Sequence, residues 1–199
     1  MKANDSGMPE ESYWNSLFNI PLILEWLNLK SISCPIVEMG CGYSTFTLPI
    51  ARKTKDEIYA FDVNPVIIEA TQRLVQEAGI RNVQFIQRDI VDEGTGLESN
   101  SVGLVLLFNI LHFTKRRIIL NEVSRILKPS GTIAFIHLRR DITKPLGPAL
   151  HLRPDKQIIL KSIIGLDLSF KENNKILEPY HWGIKLTKGT SVGFHISYP

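Results

Sequence analysis

Cysteine is nearly missing from this chain: Cys34 and Cys41 are the only two in 199 residues. That excludes a disulfide framework and a cysteine-built zinc cluster, and a reducing interior is the natural setting. A strong charge of either sign is missing too. The formal net charge is +3, too mild to mark a nucleic-acid surface, which calls for a strongly basic face. No apolar run reaches the roughly 20 residues of a membrane-spanning helix. The stretch Met1 to Glu11 is polar and carries no signal-peptide core. A cytoplasmic protein with no membrane partner is therefore expected. Repeats and low-complexity tracts are absent, and no close His/Cys/Asp spacing recommends a metal.

What is present begins with Val37-Glu38-Met39-Gly40-Cys41-Gly42-Tyr43-Ser44. The apolar run Pro35-Ile36-Val37 ends there as a buried strand would, and Thr45 to Ala51 opens a helical pattern. Glycines at such a junction allow a tight turn and let a ligand approach bare backbone. A dinucleotide fingerprint would need a third glycine where Thr45 stands, which disfavours a nicotinamide cofactor. S-adenosylmethionine has no phosphate, and the ammonium of its methionyl end gives Glu38 something to pair with. The alternative is an ordinary strand-helix connection.

The next strand, Ile58-Tyr59-Ala60-Phe61, ends in Asp62, 22 positions after Gly40. That is close to the roughly 20 between a glycine loop and the acid that holds a ribose. Two vicinal hydroxyls need two acceptors in one plane, which a carboxylate supplies with charge-assisted bonds. Asp62 could instead cap the helix expected from Pro65 to Ala78.

With Val83-Gln84-Phe85-Ile86, then Arg88-Asp89-Ile90, and the apolar strand Val102 to Phe108, the series resembles motifs I to IV of the class I S-adenosylmethionine-dependent methyltransferases. Lys128-Pro129-Ser130-Gly131 is similar to the turn leading into that family's fifth strand, so the resemblance covers roughly 34 to 138. It implies an α/β, Rossmann-like three-layer α-β-α sandwich with a seven-stranded, mostly parallel sheet. The last strand, with its hairpin, would run antiparallel to the rest. It implies S-adenosylmethionine as cofactor and S-adenosylhomocysteine as product. By the same resemblance Glu38, Gly40 and Gly42 hold the methionyl end, Asp62 the ribose, and Val63 packs on the adenine. Asp89 would accept from the exocyclic amine, Ile90 would cover the ring, and Asn109 would line the site near the methyl group. Ser44 replaces the family's third glycine and could cap the following helix.

One domain fits this length: a helical segment over 1–33, a cofactor-binding core over 34–138, and a substrate-facing loop with a C-terminal helix and hairpin over 139–199. Tyr13 to Phe18 and Ile23 to Leu27 read as amphipathic helices whose aromatics belong to the core. Thr114 to Leu127 and Asp155 to Ile164 read as helices, and Thr132 to His137, Leu166 to Phe170 and His181 to Leu186 as strands.

Ligands of open α/β sheets sit at the carboxyl ends of the strands. His112 follows the fourth strand there, His137 ends the fifth, and Arg139, Arg140, Asp141 and Lys144 come next. His137, Arg139 and Arg140 are therefore expected to face the substrate. With Lys144 and Arg153, the arginines would favour an anionic acceptor, unless the connection is merely a solvated loop. His112, with an ordinary pKa of roughly 6.5, is the candidate general base. His137, His151 and His181 are lesser candidates. The fourth strand ends Phe108-Asn109-Ile110-Leu111-His112, without the Asn/Asp-Pro-Pro-aromatic signature of amino-methylating nucleic-acid enzymes. The expectation is an S-adenosylmethionine-dependent methyltransferase acting on a small molecule, with nucleic acid disfavoured and a partner-presented protein side chain second. The alternative is a module that binds the cofactor without transferring its methyl.

Overall fold

The computed structural model describes residues 10–32, 35–112, 115–142 and 147–190. Cys34, Thr114 and Lys144 lie outside these residues.

Helices α1 (Glu11–Ser16) and α2 (Ile20–Leu27) precede β1 (Ile36–Met39). Then come α3 (Thr47–Ala51), β2 (Ile58–Asp62), α4 (Pro65–Glu77), β3 (Val83–Gln87), α5 (Ile90–Glu93), β4 (Val102–Phe108) and α6 (Arg116–Ile126). The chain continues through β5 (Leu127–Leu138), α7 (Lys156–Ile163), β6 (Leu168–Leu177) and β7 (His181–Lys188).

Among the described residues, seven strands form one sheet in the order β3-β2-β1-β4-β5-β7-β6. Strands β1 to β5 pair in parallel, while β7 is antiparallel to both β5 and β6. Only β7 runs against the rest. The expected antiparallel last strand is β7; of the hairpin expected to be reversed with it, β6 points the same way as β5, and the reversed strand lies between them.

All seven residues of β4 are buried, as they must be when helices cover both faces of a parallel strand. On one face Val105, Leu107, Ile133 and Phe135 pack against Leu120 and Val123 of α6 and Ile159 of α7. On the other, Leu104, Leu106 and Ile136 meet Ile23 and Leu27 of α2 and Ile50 of α3. The alternation along each strand divides the core between two helical layers.

Helix α4 begins where Asn64 Oδ1 accepts from Val66 N at 3.0 Å, with Pro65 as its first residue, a pairing suited to a helix start. Lys128 to Gly131, expected as a turn before the fifth strand, lies inside β5. Val102 pairs with Leu127 and Leu104 with Thr132, so five steps of β5 span two of β4 as a bulge. Ser130 takes φ 61° within it.

The chain steps outward from β1 to β3 and crosses back to β4. The carboxyl ends of β1 and β4 therefore flank the point where the strand order reverses, and ligands of open sheets gather there.

Candidate functional site

Gly40 and Gly42 carry the chain off β1 at φ 75° and 50°, a left-handed region costly to side chains. A Cβ on Gly40 would lie 2.7 Å from Ile110 Cγ2, so the loop and the end of β4 approach as only glycine permits. The N–H groups of Gly40 and Cys41 donate to Phe61 O at 2.8 and 2.9 Å, which ties the loop to β2.

Asp62 spans the same gap from its other side. Its Oδ2 accepts from Gly42 N and its Oδ1 from Asn64 N, each at 3.0 Å. It does not cap α4, which Asn64 does. A carboxylate offers about four acceptor positions, so two backbone bonds leave capacity for a diol.

Glu38 is 1% exposed, and the Thr47 hydroxyl donates to its Oε2 at 2.5 Å. Burial pushes its pKa up to about 8, opposed by the Thr47 bond and reinforced by the charge of Asp62. An acid buried with so little support is poised to take a cation. Burial, together with Glu38 and Asp62, also raises the Cys41 thiol, which is packed under the loop.

Ser44 does not cap α3. Its φ of 61° carries the hydroxyl into the interior, where Oγ is buried without a partner among the described residues. Neighbouring Thr45 donates to Asn15 Oδ1 at 2.6 Å, which fastens the N-terminal segment to the loop. Asp89 caps α5 through Val91 N at 2.9 Å, with Ile90 buried behind it, and Val63 is half-buried beside Asp62.

Together these residues fit a donor with an ammonium, a diol and a flat base. They supply a buried acid, a bare-backbone cradle, a carboxylate with unused acceptor positions, and apolar Val63 and Ile90 alongside Asp89.

Beyond β4 the polar groups answer one another. Asn109 takes φ 55°, a conformation asparagine tolerates. Its N donates to Ile136 O at 2.7 Å, and its Oδ1 accepts from Leu138 N at 3.0 Å. Its Nδ2 lies 3.3 Å from His181 Nε2, and its carbonyl 3.0 Å from His112 Nδ1. Burial lowers the His112 pKa, with Arg116 adding to the shift and the Asn109 carbonyl opposing it.

His137 lies inside rather than on the rim, 2% exposed against Trp182, with no partner for Nε2 among the described residues. Burial, then His112, His181 and Arg116, holds its pKa down to about 3. Arg139 pairs with Asp141 at 2.7 Å and Glu178 at 3.3 Å, and Arg140 with Asp155 at 2.7 Å. Arg153, 4% exposed, donates to the carbonyls of Pro148, Arg139 and Ile142. The expectation of an anionic acceptor thus loses three of its four cations to partners within the chain. His151 lies in an exposed 3₁₀ turn, Leu150–Leu152.

Sequence reasoning missed Thr47, Ile110, the shaping role of Arg153 and the place of His181. A hydroxyl nine residues after an acid carries no signal by itself. Arg153 among prolines reads as a surface cation.

No helix among the described residues is long and apolar enough to cross a membrane. No group of three or more His, Cys, Asp or Glu among them could hold a metal ion.

Residues 36–131 match the family model described as a methyltransferase domain. The chain is 32% identical over 79 residues to the 23S rRNA (uracil(1939)-C(5))-methyltransferase RlmD of Haemophilus influenzae, covering 38% of this chain and 18% of that protein. It is 32% identical over 127 residues to the dimethylglycine N-methyltransferase of Parasynechococcus marenigrum, covering 60% and 45%. It therefore spans less than half the length of either relative. Its fold is similar to that of a SAM-dependent methyltransferase from Aquifex aeolicus, with TM-score 0.76 and 17% identity over 90% of this chain and 94% of that one.

Proposed function

We propose, on the premise that residues 36–131 are a class I S-adenosylmethionine-dependent methyltransferase domain, that this chain moves the donor's methyl group onto a small-molecule acceptor. The observation that carries the reading is the glycine cradle flanked by buried Glu38 and by Asp62 at the tips of β1 and β2. When bound, S-adenosylmethionine supplies a sulfonium-activated methyl whose C–S electron pair leaves with sulfur, giving S-adenosylhomocysteine.

The chain's own part is placement. Glu38 would take the ammonium, Gly40 and Gly42 would admit the methionyl end, and Asp62 would accept from the ribose hydroxyls. Val63, Asp89 and Ile90 would hold the adenine, and Asn109 would close the site toward the acceptor. Alignment at near-attack distance supplies most of what such a displacement needs. His112 would accept the proton of a protonated nucleophile at Nε2, its Nδ1–H donating to the carbonyl of Asn109.

A small acceptor is favoured because Arg139, Arg140 and Arg153 are engaged within the chain rather than aligned for a phosphate backbone. The sealed interior positions of His137 and His181 favour a second reading, a module that holds the donor without transferring its methyl.

The test is calorimetric titration with S-adenosylmethionine, S-adenosylhomocysteine and NAD, followed by methyl-labelled donor against a panel of metabolites and RNA. Micromolar binding of both sulfur ligands, about −8 kcal/mol, with label passing to a metabolite is the expected result. Label in RNA would overturn the small-molecule acceptor. Tight binding with no transfer to any acceptor would favour the module.

A further inference from the structure

His181 is 1% exposed at the first position of β7, beside the tips of β4 and β5. Its ring stacks on Phe18 at 4.3 Å between centroids, 21° from parallel. Nε2 lies 3.3 Å from Asn109 Nδ2. The amide of Asn109 cannot be turned the other way, because Oδ1 is needed to accept from Leu138 N. Nδ2 is therefore a donor and His181 Nε2 an acceptor. A neutral imidazole then carries its proton on Nδ1, facing the Leu17 backbone, with which His181 is hydrogen-bonded. On the far side, the Asn109 carbonyl can only accept, so His112 likewise carries its proton on Nδ1.

One connected path results: Leu17 carbonyl, His181, Asn109, His112. Its members come from the α1–α2 junction, β7, the tip of β4 and the loop after it. Hydrogen positions pass from Leu17 to the Asn109 amide; the Asn109 carbonyl accepts whichever way that amide lies, so the last link depends on where the backbone holds the carbonyl.

We propose that His181 is a positioning residue: together with Leu138 N it anchors the Asn109 amide, and so holds the left-handed backbone whose carbonyl faces His112 Nδ1 and keeps the proton there. The inference deepens the methyl-transfer reading and rests on it for its significance, since the Nδ1–H form of His112 is the one able to receive a proton at Nε2.

Two substitutions separate the links. Asparagine at position 181 can keep the donor to Leu17 but loses the acceptor for Asn109. Glutamine carries its carbonyl oxygen to where Nε2 stood and keeps that acceptor.

The experiment is ¹⁵N NMR of the imidazole nitrogens in the wild type, His181→Gln and His181→Asn, with calorimetric titration of S-adenosylhomocysteine on the same samples. In the wild type and His181→Gln, His112 stays in the Nδ1–H form. In His181→Asn, a tenth or more of it shifts to Nε2–H. If that variant does not fold, Asn109→Gly takes its place, removing the amide anchor and freeing the backbone to turn the carbonyl away, and the same shift is expected. A wild-type tautomer in the variant lacking the link, or equal shifts with Gln and Asn, would overturn the proposal. Failure of the wild type to bind S-adenosylhomocysteine would count against the methyl-transfer reading instead, and the tautomers would still judge the role of His181.

Discussion

At the tips of β1 and β2, the carboxyls of Glu38 and Asp62 together accept from one hydroxyl and two backbone N–H groups. At the tips of β4 and β5 and the start of β7, Asn109, His181, Arg139, Arg140 and Arg153 are engaged by one another, by neighbouring acids or by main-chain carbonyls. The first region keeps acceptor capacity in reserve and holds an acid under-supported. The second has spent its polarity on its own shape. The contrast separates two ways of building a site: one receives a ligand's charge, the other presents a fixed contour.

Substitutions and pH can break that contrast at several strengths. The largest effect is expected from Gly40→Ala, where a side chain at φ 75° meets Ile110. Strain on the order of 1–3 kcal/mol should appear in urea melts, and S-adenosylhomocysteine binding should vanish from calorimetry. Asp62→Ala should weaken the same binding at least tenfold, since a charge-assisted bond contributes about 1.5–3 kcal/mol; unchanged affinity would remove the ribose role.

Proton linkage comes next. Glu38 has its folded pKa raised above the ordinary carboxylate value, to about 8. Its contribution to apo stability is full below the unfolded pKa and is lost as pH rises through about 8. Pairing with an ammonium needs the ionised form, so S-adenosylmethionine binding near pH 7 should release the Glu38 proton and tighten as pH rises toward 8, until the ligand's own ammonium begins to lose its proton. Titrations in two buffers of different ionisation enthalpy would show the released proton; a flat profile would detach Glu38 from the ammonium.

On the other side, Arg153→Met strands three carbonyls and should cost about 2 kcal/mol of stability while leaving S-adenosylhomocysteine affinity within twofold. Smallest is Arg140→Ala, whose pair with Asp155 is half-exposed; a change below about 0.5 kcal/mol is expected in the same melts.

The two regions also differed in how far they could be read in advance. The donor side is announced by short-range signals: glycines at a strand end, an acid closing the next strand, an apolar run buried on both faces. Strands β1 to β4 fall within a residue or two of expectation for that reason. On the acceptor side, the pairs that matter are distant in sequence. Asn109 meets His181 across 72 positions and Arg139 meets Glu178 across 39, and no local pattern marks either. Ser44 looked like a cap by residue type and spacing, yet its left-handed backbone turned the hydroxyl inward. The bulge in β5 hid behind Lys-Pro-Ser-Gly, which reads as a plain turn until the pairing with β4 is known.

The reversed strand β7 has a consequence in time. Because it runs against its neighbours, its first residue, His181, arrives where β4 and β5 end, and there it touches Leu17 and Phe18. A ribosome delivers position 181 only after 163 further residues have followed position 17. The donor cradle can thus form on a nascent chain while the far wall is still unmade. Contacts of such long separation carry a high loop-closure cost and form late. The acceptor wall should be the last part of this molecule to assemble after synthesis and the slowest to re-form after unfolding.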